Sequence, residues 1–214
     1  MKTVLLIGDS IRASYDRAVR EALRGGAEVF FPRENCRFAQ YVLRNLHEWK
    51  QAENVPDSLD LIHWNAGLWD TLRLFGDEPL TPPEIYAAYL ERICRRIRLL
   101  FPQAKMTFAL STPVLEHRFP DPKACFRRNA DIREYNAIAE RVIHVHGGEI
   151  NDLYRVLDGV PDSYYSDMTH PYTKAGGRLL TEAVLRSVCV SLRLPLPAEQ
   201  PSLPDFLPSG ALGL

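Results

Sequence analysis

The stretch Val4-Leu5-Leu6-Ile7-Gly8-Asp9-Ser10-Ile11-Arg12 decides the fold. Four apolar residues end abruptly in Gly-Asp-Ser, and a basic, alanine-containing segment with helical spacing follows. The pattern predicts a buried strand, a tight turn and the first turn of a helix. A serine at such a junction meets unpaired N–H groups and the positive end of the helix dipole. Those conditions suit a hydroxyl that carries negative charge during a reaction. A purely structural reading is also open, because Asp and Ser are favoured N-caps and Gly8 can serve the turn alone.

Working outward, apolar runs alternate with amphipathic segments along the whole chain. Strands are predicted near Thr3 to Ile7, Glu28 to Phe31, Leu59 to Trp64, Met106 to Leu110 and Glu149-Ile150. Helices are predicted from Ile11 to about Arg24, Arg37 to Gln51, a segment opened by Thr81-Pro82-Pro83-Glu84, Arg127 to about His146, and Thr173 to about Leu192. Gly25-Gly26 and Gly147-Gly148 supply stop signals. Thr81 and Glu84 read as a capping box. Strand–helix alternation calls for a parallel sheet with helices on both faces. Ligands of such sheets bind beyond the C-terminal strand ends. The loops carrying Ser10, Asn35, Asn65, Thr112 and His170 are therefore expected on one rim.

A chain of 214 residues fits one α/β domain with a real core. That domain is expected over 1–193. Prolines at 195, 197, 201, 204 and 208 make 194–214 an extended arm, a candidate contact for a homodimer. A net charge of −1 with mixed signs gives no electrostatic case for nucleic acid. No apolar run approaches membrane-spanning length, and Val4 to Ile7 is too short for an export signal. The expectation is a cytoplasmic protein with no membrane partner. Cys36, Cys94, Cys125 and Cys189 form no CxxC pair and read as free thiols, with Cys94 and Cys189 as core fillers.

The chemistry-bearing residues lie at the two ends. A serine hydroxyl is a poor nucleophile until an imidazole takes its proton. That imidazole needs a carboxylate on its other nitrogen to fix the tautomer. Asp167-Met168-Thr169-His170 offers both groups three residues apart in a turn-like segment. Ser10, His170 and Asp167 are therefore the candidate nucleophile, base and orienting acid.

Gly8-Asp9-Ser10 and Asp167-x-x-His170 resemble the first and last blocks of the SGNH (GDSL-like) hydrolase family, and the resemblance covers nearly the whole chain. Phe108 to Val114, the segment Asn129 to Arg141 and Ile150 to Tyr154 are also similar to it. The resemblance implies a three-layer α/β/α, flavodoxin-like sandwich with a five-stranded parallel sheet. It also implies ester hydrolysis by a Ser–His–Asp triad with no metal or other cofactor. Two blocks depart from the family. After the second strand, Glu34-Asn35-Cys36 stands where a glycine N–H is usual, so the N–H of Asn35 or Cys36 is expected to join that of Ser10 in the oxyanion hole. In the third block, Gly67-Leu68-Trp69-Asp70 puts Trp69 at the usual asparagine, and Asn65 is read as the substitute amide donor, as in a subgroup with Asn-x-Gly-Leu-x-Asp. A turn or capping role for Asn65 is the alternative.

Trp64 and Trp69 flank the expected site and could stack on a sugar ring, although a strand-end tryptophan also fits the core. His63 reads as a core histidine. His144 and His146 lack a third partner for a metal. Arg95-Arg96 and Arg127-Arg128 read as solvated helix faces. The leading expectation is an esterase acting on a small-molecule ester such as an acetylated sugar. The alternatives are a lipid-acyl esterase or thioesterase, a non-catalytic carbohydrate-binding module on the same fold, and a flavodoxin-like nucleotide binder, for which the first loop lacks a phosphate cradle.

Overall fold

The computed structural model describes residues 1–121 and 124–197. Strand β1 (Lys2–Ile7) lies inside a five-stranded sheet. Its companions are β2 (Ala27–Phe30), β3 (Leu61–Trp64), β5 (Lys105–Ala109) and β7 (Glu149–Asn151). The order is β2-β1-β3-β5-β7, with every pairing parallel. The pleat of β1 explains the layering. Leu5 and Ile7 point to one face and Val4 and Leu6 to the other, all fully buried. On the first face they meet α3 (Ala39–Ala52), α4 (Pro83–Leu100) and α5 (Asn129–Val145). On the second they meet α1 (Ser10–Ala13), α2 (Asp16–Ala22), α6 (Leu153–Leu157) and α7 (Lys174–Leu192). The result is the expected three-layer α/β/α sandwich. The strand order reverses between β1 and β3, which opens a crevice at their C-terminal ends.

Several local expectations give way to competing contacts. The first helix is broken in two. The Ser14 hydroxyl donates back to Ile11 O at 2.6 Å, and Tyr15 leaves helical geometry as it enters the core. Thr81 and Glu84 form no capping box, because the N-cap of α4 is Pro82. The Thr81 side chain instead favours the charged form of Asp70 as a hydrogen-bond partner. A two-residue antiparallel pair joins β4 (Arg73–Leu74) to β6 (Cys125–Phe126), and it ties the excursion after β5 to the loop after β3. Of the arm at 194–214, residues 198–214 lie outside the described residues. Among the described residues, no helix is long and apolar enough to cross a membrane.

Cys94 and Cys189 are buried in the two cores, and all four cysteines are free. His63 is buried on β3. Its Nε2 meets Asn151 Nδ2 at 3.0 Å, and burial pushes its pKa down to about 4, so the ring is neutral.

Candidate active site

The crevice collects the ends of the chain. Asp9 is the N-cap of α1, and its Oδ1 accepts the Ile11 N–H at 3.0 Å. That cap puts Ser10 at the first helical position. There its N–H has no intrahelical acceptor, and the residue as a whole is 7% exposed.

The opposing loop is built around Asp167. Its Oδ1 accepts the N–H groups of Thr169 at 2.7 Å and His170 at 2.8 Å. Its Oδ2 lies 2.7 Å from His170 Nδ1. A carboxylate can only accept, so Nδ1 carries the proton and the Nε2 lone pair faces outward. Nε2 meets Ser10 Oγ at 2.9 Å, where the hydroxyl donates. Burial works against the Asp167 carboxylate, but the His170 ring and the two N–H donors outweigh it and hold its pKa below the ordinary value. The structure thus brings Ser10, His170 and Asp167 into one continuous relay.

Other contacts hold the relay in place. The Tyr172 hydroxyl donates to Ser10 O at 2.6 Å, and its ring stacks on His170 with centroids 4.7 Å apart. The Ser166 N–H and hydroxyl both donate to His170 O. Thr173 caps α7 by accepting the Gly176 N–H. Gly176 has no room for a side chain, since a Cβ there would lie 2.4 Å from Tyr164 O and 2.7 Å from Pro171 O. The histidine loop therefore rests directly on the backbone of α7. Sequence reading missed Tyr172, whose one signal was its place two residues after the histidine.

The oxyanion candidates separate. The Cys36 N–H donates to Gly8 O at 3.1 Å, and the side chain is fully buried. It is committed to joining the first two loops, which corrects the expectation that it serves an oxyanion. The N–H groups of Ser10 and Asn35 keep no protein acceptor among the described residues, while Asn35 Oδ1 accepts the Arg37 N–H at 2.9 Å. Asn65 lies directly against the Gly8 backbone. A Cβ on Gly8 would come within 1.9 Å of Asn65 Oδ1. The first-block glycine is thus the space that admits the Asn65 amide to the crevice. The amide also lies beside Asp9, where it favours the charged form, although burial dominates and raises that carboxyl's pKa.

The two tryptophans differ as well. Trp64 is fully buried and packs edge-on against Phe108 with centroids 4.7 Å apart. It shares the inward face with Ile62 and cannot touch a ligand, so the expectation of a substrate contact is corrected. Trp69 is half-buried in the turn after Asn65. Asp70 is fully buried, and both its oxygens lie within 3.2 Å of the Ala39 N–H. It thus caps α3 from a distance, and burial pushes its pKa up to about 7. Thr112 is buried, and its loop is tied to the histidine loop by the Leu115 N–H to Met168 O at 2.8 Å.

Two arginines hold the floor. Arg12, 2% exposed, pairs with Asp16 and donates to Gly8 O and, at 2.8 Å, to Glu34 O. Arg127 is half-buried, not solvated as expected, and its Nε donates to Leu68 O. Among the described residues, no three His, Cys, Asp or Glu side chains gather to hold a metal ion.

No protein-family model matches the chain, and no curated protein matches it in sequence. Its fold matches solved structures. The lipase/acylhydrolase from Enterococcus faecalis is 19% identical, with 93% of this chain and 100% of that one covered at a TM-score of 0.67. A GDSL-like lipase from Bacteroides thetaiotaomicron is 16% identical, with 87% of each chain covered at 0.65. An acetylxylan esterase from Geobacillus stearothermophilus is 15% identical, with 87% of this chain and 94% of that one covered at 0.63. The chain has the fold of the SGNH (GDSL-like) hydrolases.

Proposed function

We propose that the protein is a serine ester hydrolase that releases small acyl groups, acetyl foremost, from a carbohydrate alcohol. One observation carries the proposal: the unbroken series from Ser10 Oγ through the His170 ring to Asp167 at 2.9 and 2.7 Å. Ser10 attacks the ester carbonyl as His170 Nε2 takes its proton. The N–H groups of Ser10 and Asn35 and the Asn65 amide hold the developing oxyanion. His170 then protonates the leaving alcohol and activates water to clear the acyl-enzyme. Asp9 shapes the turn and stays outside the proton path.

The acetyl and sugar parts are supported by the fold shared with an acetylxylan esterase and by half-buried Trp69, an aromatic surface that suits a sugar ring. A panel of acetylated oligosaccharides beside long-chain acyl glycerols and acyl thioesters tests this reading. Acetate release that Ser10→Ala abolishes is expected. Turnover confined to the long-chain or thioester substrates would replace it with a lipid-acyl esterase or thioesterase. Complete inertness would leave a binding module.

Asn65→Ala tests the oxyanion role separately. Losing one preorganised donor costs about 10²–10³ in kcat, with KM little changed. A loss of only a few-fold would return Asn65 to a structural turn role.

A further inference from the structure

Among the described residues, two of the six buried or half-buried arginines have a carboxylate partner. Arg12 is matched by Asp16, and Arg73 by Asp131 at 2.7 Å. Arg127 is not. Its Nε is fixed on Leu68 O, in the turn that carries Asn65 and Trp69. Its two terminal nitrogens have no acceptor among the described residues and are not sealed from solvent. The carboxylates of Asp9 and Asp167, which flank Ser10 and the His170 relay, favour its charged form, and neither forms an ion pair with it. A planar fork of N–H donors, anchored at one end and open at the other, is a bidentate receptor for a carboxylate. Burial makes the guanidinium costly to leave unpaired.

We propose that Arg127 is a specificity-determining residue that binds a carboxylate carried by the ester substrate. This rests on the hydrolase reading above and narrows it to acidic esters, of which an acylated sugar acid is one. The carboxylate lies on the acyl or the alcohol side, within reach of the Arg127 fork while the ester carbonyl is at Ser10. The alternative is that Arg127 only offsets the charges of Asp9 and Asp167. That role would affect acidic and neutral esters alike.

Two matched ester pairs separate these roles. The first is 4-nitrophenyl hydrogen succinate against 4-nitrophenyl methyl succinate. The second is 4-acetoxybenzoate against its methyl ester. Each pair differs by a single charge, placed on the acyl side in one and the alcohol side in the other. The native protein is expected to favour the acidic member of at least one pair by about 10–100-fold in kcat/KM, the usual worth of a charge-assisted hydrogen bond. Arg127→Gln removes that preference, whatever it does to absolute rates. Arg128→Gln, which deletes the same charge from the exposed neighbouring residue, keeps it. Absence of a preference in both pairs, or its survival in Arg127→Gln, overturns the proposal. If Arg127→Gln does not fold, succinate decides: competitive inhibition of the native protein by succinate but not by the uncharged, ester-free succinamide is expected, and no inhibition by succinate overturns it. Inertness of all four esters would instead remove the hydrolase reading on which it rests.

Discussion

Ser10→Ala is expected to lower kcat/KM for 4-nitrophenyl acetate by about 10⁵–10⁶, and His170→Ala by a similar factor. The Ser10/His170 double variant should be no worse than either single one, because the two groups form one proton-transfer unit. Asp167→Asn should cost less, about 10⁴. Its remaining oxygen can still accept the Thr169 and His170 N–H groups, so the loop keeps its shape. The amide NH₂, however, would face His170 Nδ1 and favour the tautomer whose Nε2 carries the proton. That ring cannot accept from Ser10. Initial rates on the purified variants check all three. Simple multiplication of the single losses in the double variant would contradict a shared relay.

Arg12→Met is expected to destabilise the fold by about 3–5 kcal/mol, read from urea unfolding. A typical domain has about 5–15 kcal/mol in total, so this is a large share. Arg12 and Asp16 are both nearly inaccessible, and burial already raises the Asp16 pKa against the pull of Arg12. Without the guanidinium, Asp16 is a lone buried carboxyl and Glu34 O keeps only the long contact from the Cys36 thiol. Arg12→Met with Asp16→Leu should recover most of the loss, because an apolar pair leaves no unmatched charge. Arg12 also joins the loop that carries Ser10 to the loop that carries Asn35, so the single variant should lose turnover even below its unfolding midpoint. A change under about 1 kcal/mol would mean that the pair contributes little.

The legible parts of the sequence were those fixed by local pattern. The apolar run into Gly8-Asp9-Ser10 marks a strand leading into a helix, and Asp167 and His170 are close enough in sequence for a short loop to join them. The five parallel strands follow from strand–helix alternation. What escaped depended on contacts between distant segments or on the backbone. Trp64 and Asn65 are adjacent at the end of β3, and only the register of the strand sends one into the core and the other into the crevice. The N–H of Cys36 looked as available as that of Asn35 until Gly8 O took it. Two-residue strands such as β4 and β6 are too short to leave a period. Arg127 and Arg128 read as an exposed pair, yet one end of that pair turns inward to Leu68 O. Asp70 caps α3 across 31 residues of sequence, a link that no local motif encodes.

The most direct test of the central claim is stoichiometric labelling with a fluorophosphonate, followed by peptide mass mapping. The account predicts one phosphonyl adduct per chain, on Ser10, formed with loss of fluoride and slowed by orders of magnitude in His170→Ala. An intact protein that takes up no label, or an adduct on any other residue, would contradict it.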